Sequence, residues 1–279
     1  MRKIHYPLIV TDFDGTLVKA DGTISEETKN SITEFIQNGG HFVISTGRMP
    51  AGILPRAREL GLKGMLSCGQ GSVILDIETK QTVFESRLPN KTAVDICKKM
   101  ESLGLHIHVY TLWDYYSNMD DEALKFYENV VKSKALLVTD QPISKFVEKE
   151  NIEPYKIMAM VYPEDNERII QEMEKENFPN CYVTRSNAML VELGNSNNSK
   201  GTAVTYLAKH YGIPLEKTIA VGDQINDLPM LEVAGLGLAV KNADPALKER
   251  VTTLDYTNEE DALKEVIKKY GYEKDELEG

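Results

Sequence analysis

A short apolar run that stops at two carboxylates constrains this chain more than any other feature. Leu8-Ile9-Val10-Thr11 is rich in β-branched residues and reads as a buried strand, and Asp12-Phe13-Asp14-Gly15-Thr16 follows it directly. Asp12 and Asp14 are two apart, so in extended chain they face the same way. Gly15 then lets the backbone turn sharply. In an open parallel α/β sheet, ligands bind outside the carboxyl ends of the strands, at a switch in strand order. Two acids at such a place repel each other unless a cation sits between them, and a hard ion such as Mg²⁺ suits oxygen ligands. A solvated Asp-Gly turn is the competing local reading. A calcium-binding loop is not, because its twelfth position needs Glu and here holds Thr23.

The next elements continue the pattern. Ser25 to Gln37 reads as an amphipathic helix with Ile32, Phe35 and Ile36 on its apolar face, capped by Thr23 or Ser25. His41 to Ser45 is a second buried strand, Pro50 to Leu60 a helix closed by Gly61, and Gly64 to Ser67 a third strand. Strands alternating with helices imply a doubly wound parallel sheet, Rossmann-like in architecture. Near Val73 the pattern changes. Val73 to Leu75 and Thr82 to Phe84 read as a hairpin and Lys91 to Ser102 as a helix. Leu105 to Tyr110 alternates as a half-exposed strand does, and Tyr155 to Val161 and Cys181 to Thr184 are further strands around a helix at Glu164 to Glu176. This mixture implies an inserted α+β unit, an antiparallel sheet with helices on one face, over residues 85–187. Ala188 to Leu193 is read as the return to the core, so that residues 1–84 and 188–279 form the α/β domain. The remaining core elements are a helix at Thr202 to Tyr211, strands at Thr218 to Val221 and Leu236 to Val240, a short helix at Leu228 to Val233 and a closing helix at Glu259 to Tyr270. An acidic, frayed tail is expected from Glu273 onward.

Composition excludes several functions. The net charge of -11 argues against a nucleic-acid or anionic-membrane partner. Cys68, Cys97 and Cys181 are odd in number and widely spaced, which fits a reducing compartment. The opening MRKIHYPLIV has too short an apolar run for a signal peptide, and no stretch approaches the roughly 18 apolar residues of a membrane span. A cytoplasmic protein, monomer or small homo-oligomer, is expected.

Each core strand ends in polar residues. Thr46-Gly47 offers a hydroxyl and a backbone N–H. Ser199-Lys200-Gly201 opens a helix, where a lysine is unfavourable unless an anion is near and where phosphate is attracted. The segment Gly194 to Gly201 nearly imitates a nucleotide-binding P-loop, but Ser199 stands where that motif needs Gly and Gly201 where it needs Ser or Thr. Gly222-Asp223-Gln224-Ile225-Asn226-Asp227 is a second acidic cluster, with Asp223 placed as a further metal ligand and Asp227 as its supporting partner.

Taken together and in this order, DFDGT, STGR, the late Lys200 and GDQINDLPM resemble the haloacid dehalogenase-like phosphatase superfamily. The inserted unit resembles the large type IIB α/β cap of the Cof-type branch. The segment Cys68-Gly69-Gln70-Gly71-Ser72 departs from the family, which usually carries Asn where Gln70 stands. The resemblance implies hydrolysis of small phosphorylated metabolites, such as sugar phosphates or cofactor precursors. Asp12 is then the nucleophile, ionised at the ordinary aspartate value of about 3.9, and forms an aspartyl-phosphate. Mg²⁺ is implied on the Asp12 carboxylate, the Asp14 backbone carbonyl and Asp223. Lys200, the Thr46 hydroxyl, the Gly47 and Phe13 N–H groups and the Asn226 amide are implied to hold phosphoryl oxygens, and Asp14 to serve as general acid and base. The cap is implied to close over the site and select the leaving group, with His106, His108, Trp113, Tyr115 and Arg185 as candidates. A phosphomutase or a non-catalytic phosphometabolite sensor on the same fold are the alternatives; a pure binder has no need for the acid/base Asp14.

Overall fold

The computed structural model describes residues 2–131 and 133–273, so the tail expected to fray lies mostly outside the described residues. Contacts divide the chain into two compact units, one of Met1–Thr46, Ala57–Val83 and Ser199–Gly279, the other of Gly47–Arg56 and Phe84–Asn198.

The first unit is built on a five-stranded sheet in the order Thr252–Thr253, Leu236–Ala239, Thr218–Gly222, Leu8–Thr11, His41–Ile44. Every pairing in it is parallel. Leu8–Thr11 lies inside this sheet, and Leu8, Ile9, Val10 and Thr11 are all fully buried, as a β-branched run with no polar alternation requires. Burying such side chains contributes about 1.5–3 kcal/mol each before entropy is counted. From this strand the chain runs to one side through the Glu26–Gln37 helix, while later strands extend the sheet to the other. Right-handed crossovers in opposite directions put their helices on opposite faces. The sheet is therefore doubly wound, with its switch point at the carboxyl end of Leu8–Thr11.

Caps follow the sequence. Ser25 accepts from the Thr28 N–H at 3.1 Å and starts the first helix. The strand expected at Gly64 to Ser67 spans Met65–Cys68 and meets the parallel sheet through an isolated bridge, Ser45 to Ser67. Its main partner is antiparallel Val73–Asp76, in a three-stranded sheet completed by Thr82–Glu85. The closing helix is interrupted at Asp261, in left-handed conformation, and resumes as Ala262–Val266 followed by one π turn.

The second unit carries a six-stranded sheet, in the order Cys181–Asn187, Leu190–Asn195, Lys156–Met160, His106–Tyr110, Tyr115–Ser117, Leu136–Leu137. Its apolar core lies on one face. Ile107, Val109, Ile157, Ala159, Val191 and Leu193 meet Ile96 and Met100, Ile143 and Val147, and Ile169 and Met173 from three helices. Two expectations are corrected here. Leu190–Asn195, read as a core strand, pairs antiparallel with Lys156–Met160 and Cys181–Asn187, so the second unit runs to Asn198. An apolar run is equally suited to either sheet, and only pairing decides between them. His106–Tyr110, read as half exposed, is buried at all five positions. Its polar face is covered within the unit: Tyr110 shares a 2.6 Å hydrogen bond with Tyr127 of the Glu122–Val131 helix, a helix the sequence reading did not place.

Among the described residues, no helix is long and apolar enough to cross a membrane.

Candidate active site

Parallel register brings three loops together in the first unit. Thr11 pairs with Val221 on one side and Ile44 on the other, so Asp12, Gly222-Asp223 and Ser45-Thr46 leave the sheet at one level. The Asp12 N–H donates to the Val221 carbonyl at 2.9 Å, and the Thr46 N–H to the Ser67 carbonyl at 3.0 Å. The fourth segment arrives from the far end of the sequence. Ser199 caps the Lys200–Tyr211 helix through a capping box with Thr202, which places Lys200 in the first turn. Its side chain is buried, and Nζ lies 2.5 Å from both Asp12 Oδ1 and Asp227 Oδ1. The two carboxylates supply the anions that make a lysine acceptable at a helix N-terminus.

Asp227 is fully committed. Its second oxygen, Oδ2, accepts from the Asp223 N–H at 2.9 Å and the Gln224 N–H at 3.0 Å, fixing the loop that presents Asp223. Asp223 is in turn oriented by the Thr16 hydroxyl at 2.7 Å and the Gln224 amide at 3.0 Å. Gly15 sits at φ +79°, and a Cβ there would lie 2.6 Å from Asp223 Oδ2. Only glycine allows that approach.

Carboxylate oxygens of Asp12, Asp223 and Asp227, all buried, lie within 4.8 Å of one another. Burial pushes the Asp12 carboxyl well above its usual range; Lys200 pulls it back, while Asp227 and Asp223 push it further up. The expectation of an ordinary aspartate is corrected, since a strand end buried among acids is not water. Burial likewise raises Asp223, against the hydrogen bond from Thr16. Lys200 is held above the ordinary lysine value, because the pull of Asp12 and Asp227 exceeds the cost of burial. Three carboxylates against one ammonium leave an excess of negative charge in a buried place. Nearby, Asn226 Oδ1 is buried without a hydrogen-bond partner. A hard divalent cation fits this oxygen-only donor set.

Residues 9–267 match the haloacid dehalogenase-like hydrolase family. The chain belongs to that family.

This hydrolase, of the Cof-type branch, is 32% identical over 258 residues to a Haemophilus influenzae relative, covering 92% of this chain and 95% of the other. It is 30% identical over 283 residues to the phosphatase YwpJ of Bacillus subtilis, covering 94% and 98%. A further B. subtilis relative, the 5-amino-6-(5-phospho-D-ribitylamino)uracil phosphatase YitU, is 27% identical over 270 residues, covering 94% and 97%. A haloacid dehalogenase-like hydrolase of B. subtilis superimposes with a TM-score of 0.84 at 28% identity, covering 94% of this chain and 99% of that one.

Of the residues singled out from the sequence, the structure of the hydrolase brings Asp12, Lys200, Asp223 and Asp227 into one cluster. Phe13 and Thr46 are buried in the same unit. The Asp14 side chain is exposed and is not part of the carboxylate cluster. Gly47 groups with the second unit, where its carbonyl accepts from Lys156 Nζ at 3.2 Å. Gln70, the departure from the family pattern, is buried in left-handed conformation, and its backbone N–H holds the Thr46 carbonyl at 3.1 Å. The P-loop imitation is no P-loop, since the strand before it belongs to the antiparallel sheet. Sequence reasoning gave no role to Thr16 or Gln224, nor to Asn242, whose amide donates to the Gly15 carbonyl at 2.8 Å. Asn242 follows the Leu236–Ala239 strand closely, so the signal was the same polar strand end that marked the others.

Proposed function

We propose that this chain is a phosphomonoesterase of small phosphorylated metabolites, working through an aspartyl-phosphate on Asp12 with Mg²⁺ as cofactor. The observation that carries the reading is the buried Asp12–Lys200 pair beside Asp223 and Asp227. It presents a nucleophilic carboxylate next to a fixed cation, which is what attack on a dianion needs. The names of the relatives YwpJ and YitU support phosphatase chemistry.

An Asp12 oxygen attacks phosphorus while the bond to the leaving alcohol breaks. Asp14 protonates that alcohol. Asp14 then takes a proton from water, which attacks the aspartyl-phosphate, releases phosphate and restores Asp12. Lys200, the Thr46 hydroxyl, the N–H groups of Phe13 and Gly47 and the Asn226 amide hold the phosphoryl oxygens. Asp12, Asp223 and the Asp14 carbonyl would hold Mg²⁺, which when bound supplies positive charge against the dianion.

Asp12→Asn is expected to remove hydrolysis of p-nitrophenyl phosphate while preserving the thermal melt, and EDTA to stop the wild-type enzyme. Wild-type turnover in the variant removes Asp12 from the nucleophile role. Measuring free phosphate separates hydrolysis from transfer to a second hydroxyl.

A further inference from the structure

Gly15 is the least restrained residue of the loop that carries Asp12 and Asp14. It stands at φ +79°, and the approach of Asp223 leaves no room for a side chain on it. The freedom that makes glycine necessary there also leaves its backbone with no side chain to hold it. Gly15 joins two parts of the site. The peptide before it carries the Asp14 carbonyl, and the residue after it is Thr16, whose hydroxyl lies 2.7 Å from Asp223 Oδ1. A rotation at Gly15 therefore disturbs both.

The restraint comes from outside the loop, at residues 240–244 of the same unit. The Asn242 amide donates to the Gly15 carbonyl at 2.8 Å. Its other end, Oδ1, accepts from the Asn258 N–H at 3.0 Å, which sets the way the amide points. The same five residues grip the second acidic loop through their backbone. The Val240 N–H donates to the Gly222 carbonyl at 3.1 Å, and the Asp244 N–H to the Asp223 carbonyl at 2.8 Å. Residues 240–244 thus hold both acid-bearing loops, and a side chain, that of Asn242, makes the bond to Gly15. We propose that Asn242 is a positioning residue of the reaction centre. By fixing the Gly15 peptide it keeps the Asp14 carbonyl and the Asp223 carboxylate, the groups proposed for Mg²⁺, in fixed relation. This rests on the phosphatase reading above. Asn242 is exposed, so replacing it takes nothing from the apolar core. Asn258 supplies the contrast: its amide donates to the Val18 carbonyl at 2.8 Å, tying down the same loop three residues further along.

The test compares Asn242→Ala with Asn258→Ala. Mg²⁺ is titrated into each protein without substrate, and the rise in melting temperature gives the midpoint for metal binding. Turnover of p-nitrophenyl phosphate is measured at saturating Mg²⁺. Asn242→Ala is expected to raise the Mg²⁺ midpoint about three- to tenfold, the share of one hydrogen bond, and to lower kcat at least about tenfold. Asn258→Ala should leave both close to the wild-type values. In EDTA both variants should melt within about 4 °C of the wild type, the shift that one hydrogen bond makes in a chain of this size. Equal effects of the two variants, or an unchanged Mg²⁺ midpoint in Asn242→Ala, overturn the positioning role. So does a loss of turnover in Asn242→Ala that comes with a collapsed melt in EDTA, which marks a role in stability alone. If the wild type hydrolyses no p-nitrophenyl phosphate, the phosphatase reading fails and the positioning role falls with it. Wild-type turnover with equal midpoints in all three proteins sinks the positioning role alone.

Discussion

Replacing Glu192 by Leu is expected to destabilise the protein strongly at neutral pH and much less at alkaline pH. The variant removes the carboxylate that lies 2.8 Å from Lys156 Nζ and leaves that ammonium buried, with the Gly47 carbonyl as its remaining hydrogen-bond acceptor. Removing one partner of a buried pair costs about 3–5 kcal/mol. The protein has one escape, which is to release the Lys156 proton. Holding a lysine neutral at pH 7 against an unfolded value of about 10.4 costs about 4.6 kcal/mol, at 1.36 kcal/mol per pH unit, so this sets the ceiling. In the variant the folded state binds fewer protons than the unfolded state. Stability therefore rises with pH, and by pH 9 the ceiling falls to about 2 kcal/mol. Adding Lys156→Met should restore stability to within about 1 kcal/mol, since apolar replacement of a whole buried pair is often neutral. Urea unfolding of wild type, both single variants and the double variant at pH 7 and pH 9 measures all of this. A penalty below about 1 kcal/mol at pH 7, or one that does not shrink with pH, would refute the electrostatic reasoning.

Three other perturbations follow from the same geometry. Gly15→Ala places a Cβ against Asp223 at a left-handed position; about 1–2 kcal/mol of backbone strain and more than about a tenfold loss of phosphatase turnover are expected, and wild-type turnover would show that Asp223 need not stay in place. His108 is fully buried, and burial, His106 and Lys156 hold its imidazole well below its ordinary value; the unfolded chain then binds the extra proton, so stability should fall below about pH 6.5 by up to about 1.4 kcal/mol per pH unit. Urea midpoints between pH 7.5 and 5.5 should show this slope reduced in His108→Phe, and equal slopes would count against it. Ser199→Ala removes the cap that starts the Lys200 helix and should cost about 1 kcal/mol in thermal unfolding, with no change contradicting a stabilising cap.

The legibility of the fold varied along the chain for a physical reason. Where a strand is buried on both faces and ends in acids, as at Leu8–Asp12 and Thr218–Asp223, pattern and chemistry coincide and the site was readable. Leu190–Asn195 carried an equally apolar signal, yet its sheet was misassigned, because hydrophobicity reports burial and not the partner strand. Between residues 111 and 154 no element was placed. The Glu122–Val131 helix lies in this stretch, and although its sequence is amphipathic, Phe126 and Val130 on it remain exposed.

The order of the chain alone determined the family, the acidic residues at the strand ends and the net negative charge. Those properties depend on residue type and short spacing, which a linear sequence states directly. Tertiary structure decided that Lys200 stands between Asp12 and Asp227, that Asp12 is far from an ordinary carboxylate, and that Lys156 meets Glu192. Each of these joins side chains 27 to 188 positions apart, and their energies come from the exclusion of water. Burial of that kind exists only once the chain has closed on itself.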